Sequence, residues 1–156
     1  MSKLDDRLAE LGIRIPDVIA PVAAYVPAVI SGNLVYTAGQ LPMVSGALPE
    51  AGKVGEGTGL VSPDAAKGYA RTAALNALAA AQSVLGSLDR VTRIVKVVGF
   101  VASDPSFTGQ PVVVNGASEV LGEIFGEAGA HARSSVGVAV LPLNSPVEVE
   151  LVLAFE

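Results

Sequence analysis

Residues 91–101, VTRIVKVVGFV, constrain the fold more than any other segment. Strict alternation puts Val95, Val97 and Val101 on one face of a strand and Ile94, Val98 and Phe100 on the other. Both faces are then apolar, and a sheet built on such a strand must be covered twice. The chain offers only two long helices for that task. One starts at Ser62-Pro63-Asp64, with a capping hydroxyl, proline at the first helical position and an acid in the first turn, and runs to about Leu85, where Gly86 stops it. Its predicted inner stripe is Ala66, Ala70, Ala74, Ala77, Ala81, Val84 and Leu88, with Asn76, Gln82 and Ser83 opposite. The second spans 110–126 through Val113, Ala117, Val120, Leu121 and Ile124.

Around these lie shorter elements. Ser2 caps a helix from Lys3 to Leu11, closed by Gly12. Strands are expected near 24–30 and 34–38, joined by Ser31-Gly32-Asn33, with Pro27 demoting the first to an edge. Residues 44–60, rich in glycine and polar side chains, read as a mobile surface loop whose end returns to the sheet. SSVGVAVLP, the LNSP turn and VEVELVLAF read as a terminal hairpin. The order is β-β, long helix, β, helix, β-hairpin: an α+β fold with a single mixed β-sheet and both main helices on one face. No element remains for the second face, so self-association is expected to cover it.

Composition removes several function classes. No cysteine excludes a disulfide scaffold, a zinc finger and thiol catalysis, and one histidine excludes a multi-histidine metal centre, so no metal is expected. Ten basic against fifteen acidic residues give a net charge of −5, which argues against nucleic acid as a partner. No apolar run spans a membrane, and MSKLDDRLAELG has no signal-peptide core; no membrane partner and a cytoplasmic location are the expectations. GALPEAGKV fails as a phosphate loop, because five residues separate Gly46 from Gly52 and Val54 stands where a magnesium-binding hydroxyl belongs. Gly55 to Gly59 lacks the flanking strand and helix of a dinucleotide site.

Few residues are left to carry chemistry. His131 reads as a solvated turn residue, and Asp104 as a turn or cap. Arg133 enters an otherwise apolar strand; it is either a salt-bridged strand-end arginine or a planar fork for a carboxylate. Glu148 and Glu150 share one face of the last strand, as a solvated face or as an acid held in a cleft for proton transfer.

Several segments together resemble the Rid family, the YjgF-like reactive intermediate deaminases. They are Ala20-Pro21 with Tyr25, GNLVYTAGQLP at 32–42, the helix after SPDA, Asn115, and HARSSVGVAVLPLNSPVEVELVLAFE at 131–156. The resemblance implies a YjgF-like, chorismate-mutase-like domain at 20–156 after a helical extension at 1–19, and a homotrimer with clefts between subunits. It implies cofactor-free hydrolysis of 2-imino acids and enamines to 2-keto acids and ammonia. Arg133 would clamp the substrate carboxylate, the Gly39 N–H would help, Tyr25 would line the cleft and Asn115 would support it. Ser135 stands where many members have cysteine, and Glu148 where an acid assists water or proton transfer. The alternative is a non-catalytic module binding 2-keto acids or other small carboxylates; an RNA-cleaving role, a label the family also carries, fits the acidic balance least. Ala24-Tyr25, Pro27 and Ala38-Gly39-Gln40 depart from the common Gly-Pro-Tyr, glutamine and Ser-Gly-Gln and mark a divergent branch. If 131–156 is a hairpin, Glu148 pairs near Val140, roughly 23 Å from Arg133, so one site using both would draw them from different subunits.

Overall fold

The computed structural model describes residues 2–156. Its elements are α1 (Lys3–Leu11), β1 (Ala28–Ser31), β2 (Leu34–Thr37), α2 (Pro63–Leu85), β3 (Val91–Ala102), α3 (Gln110–Phe125), β4 (Ala132–Val138) and β5 (Val147–Phe155). The strands form one mixed sheet in the order β1-β2-β5-β3-β4. α2 and α3 pack against each other and on the same face. The predicted caps are in place: the Ser2 hydroxyl accepts from the Asp5 N–H at 3.0 Å, and that of Ser62 from the Ala65 N–H at 3.1 Å. Among the described residues, no helix is long and apolar enough to cross a membrane.

The terminal hairpin is corrected. β4 lies parallel to β3 at one edge, as the helical crossover through α3 requires, while β5 runs antiparallel between β2 and β3. The 139–146 connection wraps the end of β3 instead of closing a hairpin. Its backbone groups are taken by other segments: Ala102 N–H donates to Pro146 O at 3.0 Å and Gly52 N–H to Asn144 O at 2.8 Å.

The alternation in β3 is corrected too. Register shifts flank the strand's first half, one of them between Ile94 and Lys96, so Val95 is an extra residue. Ile94 therefore joins Val97 and Val101 beneath the helices, all three fully buried. Val98 and Phe100 remain on the other face, in register with Glu150 and Glu148 of β5 and with Ser134 and Val136 of β4. Among the described residues no element covers that open face, where Val29, Tyr36 and Val136 are exposed.

Two further expectations change. The 44–60 loop returns to the sheet as expected but is anchored, not a free excursion: Val54 is fully buried, its N–H bonded to Ala102 O and its carbonyl accepting from Asp104 N–H. Asn76 faces inward and is only 3% exposed. Its amide donates to the carbonyls of Leu41 at 2.9 Å and Met43 at 3.1 Å, tying the segment after β2 to α2. Two glycines set the close packing of α3. A Cβ at Gly116 would collide with the Lys67 carbonyl of α2, and one at Gly99 with the Val114 side chain.

Candidate functional site

Arg133 lies on the helix face of β4, in register with buried Val97. Pro111, Asn115 and Ser118 follow one line of α3, because spacings of four and three residues return to the same helix face. All three meet the guanidinium. Its Nη1 donates to Asn115 Oδ1 at 2.7 Å and to Ser118 Oγ at 3.1 Å, and its Nη2 to Pro111 O at 3.2 Å. No carboxylate pairs with Arg133 among the described residues; the salt bridges are Arg7–Glu10, Lys67–Glu119 and Arg71–Glu123. Within the described residues Arg133 is therefore not a salt-bridged arginine. The guanidinium is a half-buried cation held by neutral acceptors, with Nε–H and one Nη2–H left for a carboxylate.

Ser135 follows on the same face, beside Gly99. Its Oγ is buried without a hydrogen-bond partner, which makes it an unsatisfied donor close to the arginine.

Glu148 sits elsewhere. It pairs with Phe100 and therefore projects from the open face of the sheet, opposite to Arg133. From two strand spacings and three residues of offset, the two Cα atoms are roughly 14 Å apart, shorter than the hairpin implied. The opposed faces separate the side chains further. Burial raises the Glu148 carboxyl above the ordinary glutamate range, and the neighbouring Glu150 charge adds to the rise.

Gly39 lies directly against Glu148: a Cβ there would overlap the carboxylate oxygen. The Gly39 N–H makes no hydrogen bond among the described residues, although the glycine is half-buried. Gly39 and Tyr25 line a cavity of about 160 Å³ with Pro21, Pro27, Leu41 and Leu143. One chain thus carries two separate groups, Arg133 with Asn115 and Ser135 on one side, and Tyr25, Gly39 and Glu148 on the other.

A larger cavity of about 530 Å³ opens between residues 14–19, the 43–46 loop and α2. None of the residues singled out in the sequence for chemistry lines it. Its two charged side chains, Arg14 and Asp17, are exposed, and neither makes a hydrogen bond or ion pair among the described residues. Fixed polar groups converge at Arg133, which makes it the candidate site.

Sequence reasoning missed Ser118 and misplaced His131. The imidazole is half-buried, with Nε2 2.8 Å from Ser118 Oγ and Nδ1 2.6 Å from Gly129 O. The signal available for Ser118 was its three-residue spacing from Asn115 on an otherwise apolar helix.

Residues 5–155 match the family model described as "YjgF/chorismate_mutase-like, putative endoribonuclease". Protein TCP17 of Trypanosoma cruzi is 44% identical over 146 residues, covering 92% of this chain and 88% of that protein. The solved structure of Atu1372 from Agrobacterium tumefaciens, a protein of unknown function, is 41% identical with a TM-score of 0.88, covering 98% of this chain and 92% of that one. A solved structure from Shewanella oneidensis MR-1, described as a "putative endoribonuclease", is 33% identical with a TM-score of 0.92, covering 99% and 100%.

Proposed function

The chain belongs to the YjgF/chorismate-mutase-like family, and on that footing we propose that it hydrolyses small 2-imino acids and their enamine tautomers to 2-keto acids and ammonia, in a homotrimer whose clefts lie between subunits. The observation that carries this reading is the unpaired Arg133 guanidinium, held in place by Asn115, Ser118 and Pro111 O while two adjacent donors stay free. Two such neighbouring N–H groups match the two oxygens of a carboxylate.

The reaction asks little more of the protein. The carbon of a protonated imine is already electrophilic, and water adds to it to give a carbinolamine. A proton passes from the added oxygen to the nitrogen, the C–N bond breaks, and ammonia leaves as the carbonyl forms. Fixing the carboxylate beside an oriented water removes much of the entropic barrier. Glu148 suits the proton transfer, because a carboxyl raised toward the working pH both takes and returns protons. The free Gly39 N–H adds a second grip on the carboxylate, and Tyr25 closes the cleft.

Arg133 and Glu148 project from opposite faces, so a site using both needs two subunits. The uncovered face carrying Val29, Tyr36 and Val136 is where a second copy would sit.

The test is keto-acid release from freshly generated 2-aminoacrylate and 2-iminobutanoate. Arg133→Ala should abolish it while sedimentation still shows the trimer. Mixed oligomers of Arg133→Ala and Glu148→Gln chains should regain part of the activity, since some clefts then hold one intact copy of each group. Full activity in Arg133→Ala, or in a monomeric wild type, overturns the proposal.

A further inference from the structure

Two side chains stand directly behind Arg133: Ser118, which holds it, and His131, which the proposed reaction does not use. The Gly129 carbonyl can only accept, so His131 Nδ1, 2.6 Å away, carries the ring proton. A neutral imidazole then presents Nε2 as an acceptor, and the Ser118 hydroxyl, 2.8 Å away, donates to it. With its proton committed there, the Ser118 oxygen turns a lone pair toward Arg133, whose Nη1–H donates at 3.1 Å. The chain runs one way, from guanidinium to serine to histidine to backbone carbonyl, and each bond polarises the next.

We infer that Ser118 and His131 are positioning residues for Arg133, setting the plane of its guanidinium and hence the affinity for an anionic ligand; this rests on reading Arg133 as a carboxylate clamp. Nη1 is held at two points, Asn115 and Ser118, and Nη2 at a third, so three acceptors define the plane of the fork. Without the imidazole, the Ser118 hydroxyl is released to donate back to the carbonyl four residues earlier in α3, the usual habit of a helical serine. Its oxygen then no longer faces the arginine in a fixed orientation. A histidine that merely fastened the 126–131 turn to α3 would have no effect on anion binding.

The chain has a single histidine, so its ring nitrogens give one uncrowded pair of signals in a ¹⁵N spectrum of the full-length protein. The expected tautomer is Nδ1–H, and adding 2-oxobutanoate should shift Nε2 in the wild type but not in Ser118→Ala. Calorimetric titration with 2-oxobutanoate should show affinity roughly 5–30-fold weaker in Ser118→Ala and His131→Ala, with His131→Gln restoring part of it through a carboxamide acceptor. Binding of the uncharged 2-oxobutanamide should not change. If Arg133→Ala binds 2-oxobutanoate as the wild type does, the clamp itself is wrong. If Arg133→Ala loses binding while Ser118→Ala and His131→Ala stay within about twofold of the wild type, the clamp stands and this inference falls. An Nε2–H tautomer in the wild type overturns it without any variant having to fold.

Discussion

Replacing Asn76 by alanine tests how firmly the segment beside Gly39 is held. The Asn76 amide is the donor for two backbone carbonyls, those of Leu41 and Met43, in a side chain only 3% exposed. Removing it orphans both acceptors, at about 1–3 kcal/mol each where water cannot replace the donor. The edge of the small cavity lets water reach part of this segment, which favours the lower half of that range, while the vacated volume adds a packing loss. The expected cost is about 3 kcal/mol, or a fall in melting temperature of roughly 6–12 °C for a chain of this size. Urea unfolding at fixed protomer concentration measures it, since any association would otherwise shift the midpoint. Activity should fall further than stability accounts for, because Leu41 lines the cavity that also holds Gly39 and Tyr25. A loss under about 1 kcal/mol would refute the reasoning, showing that the loop finds other donors.

Glu148→Gln should stabilise the protein increasingly as pH rises above the unfolded glutamate value of about 4.3. The folded carboxyl is raised, so the wild type keeps its full stability below the unfolded value and loses some as pH climbs through the folded one; a melting-temperature difference that is flat or reversed above that value contradicts the assignment. Gly39→Ala should cost activity through displacement of the Glu148 carboxylate while the fold survives, read by keto-acid release beside circular dichroism. Gly116→Ala should destabilise by about 1–3 kcal/mol, as its methyl group would drive α3 away from the Lys67 carbonyl, and an unchanged urea midpoint would show that the helices part freely. Ser135→Ala should be neutral or stabilising by up to about 1 kcal/mol, since the hydroxyl it removes is buried without a partner.

Elements whose ends are written locally were legible. Ser62-Pro63-Asp64 and Gly86 bound α2 because caps and backbone preferences act within four residues. The alternation in VEVELVLAF placed Glu148 and Glu150 on one face of β5 for the same reason, since the pleat has a period of two. Pairing is not local. Two alternating strands around a tight reversal look alike whether they bond to each other or to a third strand between them, and here the β3–α3–β4 crossover decided the matter. Asn76 was misplaced because a single stripe was drawn along α2, whereas Ala73, Asn76, Ala77 and Ala80 are all buried beneath three neighbours: sheet, α3 and the 41–43 segment. The exceptional character of Arg133 could be read from its setting in an apolar strand. Of its neutral partners, Asn115 was legible through the family resemblance, whereas Ser118 and Pro111 O, 15 and 22 residues away, were not, because they depend on how α3 lies over β4.

The division of the polar groups between two faces has a consequence for how such a protein can be regulated and how it can fail. Had Arg133 and Glu148 shared a face, one chain would suffice, and the apolar side chains on the opposite face would be only an aggregation hazard. With the groups opposed, the face that must be covered is also the face that bears the acid. If, as proposed, a second copy covers Val98, Phe100 and Val136 and presents its arginine at the rim of this face, one association step would both shield the apolar surface and complete the cleft. Weakening the assembly, for instance with a charge at Val136, should therefore remove activity at concentrations where each chain is still folded. Keto-acid release that falls faster than linearly on dilution would be the signature, and a rate strictly proportional to protomer concentration down to the dissociated state would show that a single chain is catalytically complete.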